Sequence, residues 1–347
     1  LKNKKIILGL IVLVAGGLLF AYSLFFPKSN YSTTTTHLAK EYPELHAALL
    51  DEKPYTQYKI PNLDKIASIN VETGKVGFTA NMVPQGLVIA ENYLILSAYN
   101  KGKEFQSVLF LLDKNSGKYI KTIVLPGTPH VGGLAYDFIH QNLWITTEAE
   151  NGSAQISALS LQQLEDDDFS HAKKEIQYLT QTLLTDVKSA SFITYYNEEL
   201  WVGDFTKEHE GELISYFLNE QGFLDFSKKG SNQALKSRRA KDETFNTEKK
   251  LQGVAFYHDT ILFSQSFGDK SSHLLFFAND IHKPQFDFDS DDLLQSLDFP
   301  AYLEQIFVED ERLYAIFESD AKEYRSRLNA FPINHVLVFD FKNLIQQ

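Results

Sequence analysis

Four carboxylates stand at comparable places along this chain of 347 residues. Glu148 follows "LWITT", Asp204 follows "LWVG", Glu318 follows "LYAIF", and Glu304 comes just before "QIFV". If those apolar runs are strands meeting around one centre, four acids face a confined space. They would repel one another unless a cation, a shared proton or water separates them. An oxygen-only calcium site or an amine ligand is the chemistry such a ring supports, and a set of solvated rim charges is the alternative. Gln85 and Gln252 each precede a glycine, and His130 precedes Val-Gly-Gly, where the backbone can come close to a bound group. With Gln305 and Tyr99 they form the candidate ligand contacts. A lone histidine and paired amides also serve as structural hydrogen-bonding groups, so that reading stays open for each.

The elements that must position these residues come from an internal repeat. "PQGLVIAENYLILSAY" at 84–99 is restated as "LQGVAFYHDTILFSQS" at 251–266, and "VGGLAYDFIHQNLWITTE", "SASFITYYNEELWVGDF" and "LEQIFVEDERLYAIFES" follow the same plan. A small or polar residue opens an apolar run, a short turn follows, and a second apolar run ends in small or polar residues. The anchors Gly86, Gly133, Ser191, Gly253 and Gln305 recur about every 50 residues, the length of a four-stranded propeller blade. Turns such as "YNEE", "YHD" and "EDE" suit hairpin loops.

Third strands are legible in "SVLFLLDK", "ELISYFL", "HLLFFAN" and "HVLVFDF", and a fourth in "KYIKTIVL". The 27 Phe and 17 Tyr fit half-buried pleated surfaces. The fold class is therefore all-β, a β-propeller of five blades, with six as the alternative if a degenerate blade occupies Phe223–Thr247 or Phe286–Phe299. The stretch Lys65–Met82 has the pattern of third and fourth strands, and is expected to complete the last blade and close the ring. In a propeller the first strands line the axis and the connecting loops gather on one face, which is where the candidate residues fall.

Composition and motifs exclude several functions. The net charge of -12 opposes phosphate backbones, so no nucleic-acid partner is expected. The basic stretch Ser227–Lys250 reads as a solvated loop. Zero cysteines remove disulfides, thiolate metal sites and a Cys nucleophile. Gly-x-Ser-x-Gly, His-x-x-x-His and phosphate-loop motifs do not occur. "DFDSDDLLQSLD" at 287–298 begins like a calcium loop, but Asp292 stands where glycine is required.

The N-terminus speaks to location. Lys2, Lys4 and Lys5 precede an uncharged apolar run from Ile6 to Phe26, long enough at about 1.5 Å per residue to cross a bilayer core. The positive-inside rule then predicts a single-pass protein of the cell membrane with its C-terminal domain extracytoplasmic, anchored by an uncleaved helix, although Ala21 and Ser23 also suit a cleavage site. The expected organisation is an anchor over 1–28, a flexible "STTTT" stalk and short helix over 29–60, and a propeller over 61–347.

The elements "PQGL", "HVGGLAYD", "SASFITYYNEELWVG" and "LQGVAFYHDTILFSQSFGDKSSHLLFF", closing with "LYAIFESDAKEYR", resemble an exported, membrane-anchored propeller-like family of Gram-positive bacteria with no assigned activity. The resemblance runs over roughly residues 65–341 and implies fold and location alone. The expected function is a binding or sensing module whose channel face engages an envelope polymer, a small ligand or a protein. A calcium-dependent propeller hydrolase or lactonase, with the four acids as metal ligands and His130 as base, is the rival, and whether the chain is an enzyme stays open. No cofactor is certain; calcium is the one considered.

Overall fold

A computed structural model describes residues 30–225, 244–283, 286–327 and 331–345. The chain starts with helices α1 (Tyr31–Glu41) and α2 (Pro43–Ala48), followed by a small hairpin of β1 (Ile66–Ile69) and β2 (Val76–Thr79). Blade 1 is built from β3 (Met82–Ala90), β4 (Tyr93–Asn100), β5 (Val108–Asp113) and β6 (Tyr119–Val124). Blade 2 follows with β7 (Leu134–Asp137), β8 (Asn142–Glu148), β9 (Ala154–Ser160) and β10 (Thr180–Leu183); helices α3 (Leu161–Asp166) and α4 (Phe169–Ala172) join its last two strands.

Blade 3 comprises β11 (Phe192–Tyr196), β12 (Glu199–Gly203), β13 (Gly211–Phe217) and β14 (Thr244–Thr247), and blade 4 comprises β15 (Leu251–Tyr257), β16 (Thr260–Gln265), β17 (Ser272–Ala278) and β18 (Leu293–Phe299). Blade 5 has β19 (Leu303–Glu309), β20 (Arg312–Phe317) and β21 (Leu337–Asp340), with α5 (Phe341–Ile345) behind it. All the blade pairings are antiparallel, and the protein is a five-bladed β-propeller. Of the two stretches considered for a sixth blade, the described end of the first supplies β14 to blade 3, and the second supplies β18 to blade 4.

The strands obey simple local rules. Two-residue turns at Asn197-Glu198 and Asp310-Glu311 have positive φ at both positions, the geometry whose twist matches the flanking strands. Burial falls from the axis outward: all of β3 is buried, whereas β6 begins with exposed Tyr119 and Ile120. Inner strands have a neighbouring blade on each face, so they read as continuous apolar runs rather than as alternating ones.

Two expectations are corrected. Lys65–Met82 does not close the ring. Its hairpin leans against blade 1, held by Val71 N–H to Glu104 O and Gln106 N–H to Ile69 O, both 2.9 Å. Residues 49–60 close the ring, pairing with β21 and the residues before it: Leu50 N–H reaches Val338 O at 2.8 Å, Val336 N–H reaches Tyr58 O at 2.9 Å, and Ile60 N–H reaches Asn334 O at 2.9 Å. That segment is short and irregular, with a single turn of 3-10 helix at Tyr55–Gln57, so it carries no strand-like alternation.

The "STTTT" stretch is likewise a helix rather than a stalk. Asn30 Oδ1 accepts the Thr33 N–H at 2.9 Å while Thr33 Oγ1 accepts the Asn30 N–H at 3.0 Å, a reciprocal cap. Thr36 then returns its hydroxyl to Ser32 O at 2.9 Å. With Leu38, Leu45 and Ala48 buried against blades 4 and 5, these helices are part of the packed fold. The anchor read over Ile6–Phe26 and most of the basic stretch after Ser227 lie outside the described residues. Among the described residues no helix is long and apolar enough to cross a membrane.

Candidate functional site

Four of the five repeat anchors, Gly86, Gly133, Gly253 and Gln305, pack at the axis, while Ser191 faces the cavity above it. Blade 5 places Gln305 at the axis, 1% exposed, with Oε1 accepting Leu87 N–H at 2.9 Å and Leu134 N–H at 2.8 Å, and Nε2 donating to Leu134 O at 2.7 Å and Ile193 O at 3.2 Å. One amide thus binds the inner strands of blades 1, 2 and 3. Small residues elsewhere make room for it. A Cβ on Gly86 would lie 3.0 Å from Gln305 Oε1, and one on Gly133 only 2.6 Å from Ile193 N. Gln305 is therefore a structural residue of the axis and does not line the cavity above it.

That cavity, about 540 Å³, opens at the mouth of the axis and is lined by all five blades. Three blades reach it by the same device. The β3–β4 register slips between Pro84 and Leu87, β15–β16 between Leu251 and Gly253, and β19–β20 between Leu303 and Ile306. Each slip is a bulge that bends the strand and re-aims its side chains. It directs Gln85, Gln252 and Glu304 into the cavity while the following residue, Gly86, Gly253 or Gln305, turns to the axis. Blades 2 and 3 enter instead through loops carrying His130 to Gly132 and Ser189 to Ser191. Val131, a β-branched residue at φ 51, and Tyr302, at φ 68, also line the cavity, so backbone strain is held at this site.

The floor is formed by two adjoining carboxyl groups, Glu304 and Glu318. Burial first, and then the neighbouring Glu318 carboxylate, hold Glu304 well above the usual carboxylate range. Burial also raises Glu318, while Lys101, Gln85 and Tyr324 act against it. Gln85 Nε2 donates to Glu318 Oε2 at 3.1 Å, and Lys101 Nζ to the Tyr324 hydroxyl at 3.1 Å. Two like charges in a buried space do not coexist, so the pair keeps a proton near neutral pH.

Above the floor the walls are aromatic. The His130 ring stacks on Tyr99, centroids 4.2 Å apart, and Phe205 meets Phe267 at 6.2 Å. Surrounding protein lowers the His130 pKa, with Glu148 opposing, but its ring is exposed to the cavity, and that exposure limits the shift.

The remaining candidates divide. Gln85, Tyr99, His130, Gln252, Glu148, Glu304 and Glu318 line one cavity; Gln305 and Asp204 do not. Asp204 Oδ1 accepts the Glu212 N–H at 2.6 Å, and Glu148 pairs with Lys103 at 3.1 Å. Thus Asp204 is bonded away from the cavity, Glu148 stands on its wall beside Lys103, and Glu304 and Glu318 adjoin at its floor. Among the described residues no group of three His, Asp or Glu side chains is placed to hold a metal. The calcium-loop look-alike runs into β18, where Asp298 pairs with His273 at 2.9 Å.

Sequence reasoning missed Lys101, Phe205, Phe267, Tyr302, Tyr324 and Arg327, all of which line the cavity. Phe205 and Phe267 directly follow Asp204 and Ser266, and Lys101 comes two residues after Tyr99, so reading each leaving loop slightly further would have found them. Tyr324 and Arg327 sit on the long connection from β20 to β21, for which the other blades offer no template.

No family model matches this chain, and no curated protein matches it. Among solved structures, a chain of the crystal structure of a nidogen/laminin complex is similar over 81% of this chain and 94% of that one, at 11% identity and a TM-score of 0.39. A functionally unknown protein from Desulfotomaculum acetoxidans DSM 771 is similar over 75% of this chain and 71% of its own, also at 11% identity and a TM-score of 0.39. Likenesses this distant carry no argument about function.

Proposed function

We propose that this protein is a membrane-tethered, extracytoplasmic binding or sensing module that takes a small ligand, free or at the end of an envelope polymer, in the cavity at its channel mouth. One observation carries the binding role: three bulges at equivalent blade positions turn Gln85, Gln252 and Glu304 into a single cavity. The volume lies within the range of about 300–1,000 Å³ usual for small-molecule sites. The apolar run Ile6–Phe26 behind three lysines supports the tether.

The Gln85→Ala/Gln252→Ala double variant tests this reading. Ligand capture from cell-envelope extract should fall at least tenfold while the circular dichroism spectrum stays that of the folded parent; unchanged capture would refute the assignment. The rival is a calcium-dependent hydrolase with Glu148, Asp204, Glu304 and Glu318 as ligands and His130 as base. It requires that calcium raise, and chelator lower, the melting temperature of the purified domain.

A further inference from the structure

We infer that the cavity's ligand is a polyhydroxylated molecule, a sugar or sugar-like polyol, seated between aromatic walls over the Glu304–Glu318 pair. This rests on the cavity being the ligand site. The argument begins with charge. Most cationic side chains around the cavity have local acidic counterparts, Lys103 pairing with Glu148 at 3.1 Å, Arg327 with Glu323 at 2.7 Å and Lys101 acting on Glu318, while Lys207 lies over the Phe267 ring at 4.9 Å. A strongly anionic ligand would meet the carboxyl floor, and a polyamine would meet Lys101, Lys207 and Arg327. Neither sign is selected.

What remains is neutral and two-sided in its hydrogen bonding. Ser189 and Ser191 carry hydroxyls that both donate and accept. Both Gln85 amide protons are already given, to Pro84 O at 2.9 Å and to Glu318, which leaves its carbonyl oxygen as the acceptor it presents. Gln252 Nε2 reaches Ser266 O only at 3.5 Å, a contact a better acceptor displaces. The carboxyl pair, holding its proton, offers a donor and acceptors side by side. Planar amides and carboxyls of this kind span two adjacent hydroxyls on a ring, each of which also gives and takes one bond.

The second half of the match is apolar. Sugar rings present faces of C–H groups, which pack on aromatic faces as other aliphatic groups do. His130, stacked on Tyr99, supplies one such surface and Phe267, 45% exposed beside Phe205, supplies another. Lys207 and Lys250 lie over the Phe267 ring at 4.9 and 5.4 Å, so a sugar face packs on the part of the ring they leave open.

The test is titration calorimetry with glucose, galactose, N-acetylglucosamine, ribitol and chitotriose, with spermidine and inorganic phosphate as charged comparators. At least one polyol should bind saturably; Phe267→Ala should weaken it at least tenfold without moving the melting temperature, and Gln85→Ala should weaken it at least tenfold with a lowered melting temperature, because Gln85 is buried and bonded to Pro84 O and Glu318. Phe267 is exposed, so its variant keeps the question answerable if Gln85→Ala fails to fold. Spermidine or phosphate binding in place of every polyol would overturn the polyol assignment while leaving the cavity a ligand site. No binding by any probe, or polyol binding indifferent to Phe267→Ala, would overturn both.

Discussion

Blades 1, 4 and 5 and blades 2 and 3 solve the same problem differently. Where the first three reach the channel mouth, a bulge splits two consecutive residues between the cavity and the axis: Gln85 and Gly86, Gln252 and Gly253, Glu304 and Gln305. Blades 2 and 3 keep their registers unbroken and approach through loops, with Gly133 pressed on the blade 3 backbone and Val131 in a left-handed conformation. The bulged blades therefore carry amide and carboxyl groups on rigid strands, blades 2 and 3 bring His130, Ser189, Ser191 and Phe205 in on loops, and the aromatic surface is shared between the two kinds of blade through Tyr99 and Phe267. Precision is concentrated where the hydrogen bonds are.

That contrast can be broken at the axis. Gln305→Ala deprives two N–H groups and two carbonyls of blades 1 to 3 of their partner. At about 1 kcal/mol for each net hydrogen bond, a loss of about 4 kcal/mol is expected in urea unfolding. Next comes Gly133→Ala. Its Cβ would meet backbone at 2.6 and 2.9 Å, which side-chain rotation does not relieve, so about 3 kcal/mol is expected. Gly253→Ala, whose contacts are 3.0 to 3.1 Å, should cost clearly less. Equal losses at the two glycines would contradict the different packing of the two kinds of blade.

A smaller effect concerns pH. Folding raises the Glu304 and Glu318 pKa values, so the native state binds more protons than the unfolded state above the ordinary carboxylate pKa. Stability from these groups is present at the acid end and falls as pH rises through the Glu318 value of about 7, by at most about 1.4 kcal/mol per pH unit per group. Glu318→Gln should flatten that alkaline fall. His335, beside the closing segment, has the opposite sign: burial lowers its pKa to about 4, so its contribution is lost as pH falls from the usual imidazole value towards 4. His335→Asn should flatten only the acid limb. Last, Gln252→Ala should change stability by less than about 0.5 kcal/mol, because its contact with Ser266 O is long, at 3.5 Å. A larger loss would make Gln252 a structural residue like Gln305.

The fold was largely legible because the hairpin repeat is a local pattern: Gly86, Gly133, Ser191, Gly253 and Gln305 are spaced by the blade itself. Ring closure was not, because Leu49–Ile60 pairs with residues almost at the other end of the chain, and its irregular backbone hides the strand. The site was legible in part. The Gln-Gly doublets marked the mouth, but a sequence does not say which of two neighbours a bulge sends inward, and Gln305 was expected in the cavity that Glu304 occupies. The four acids look alike in sequence. Only backbone partners and burial separate Asp204, committed to Glu212, from the proton-sharing pair.

Gln305 has one more consequence. By tying three blades across the axis it corks the propeller beneath the cavity, so the site is a cup rather than a tube. Whatever settles there must arrive and depart through the same opening, past Phe267 and the loop bearing Tyr324 and Arg327. How long an occupant stays is then governed by that rim, and changes to the rim should alter residence time more than capture.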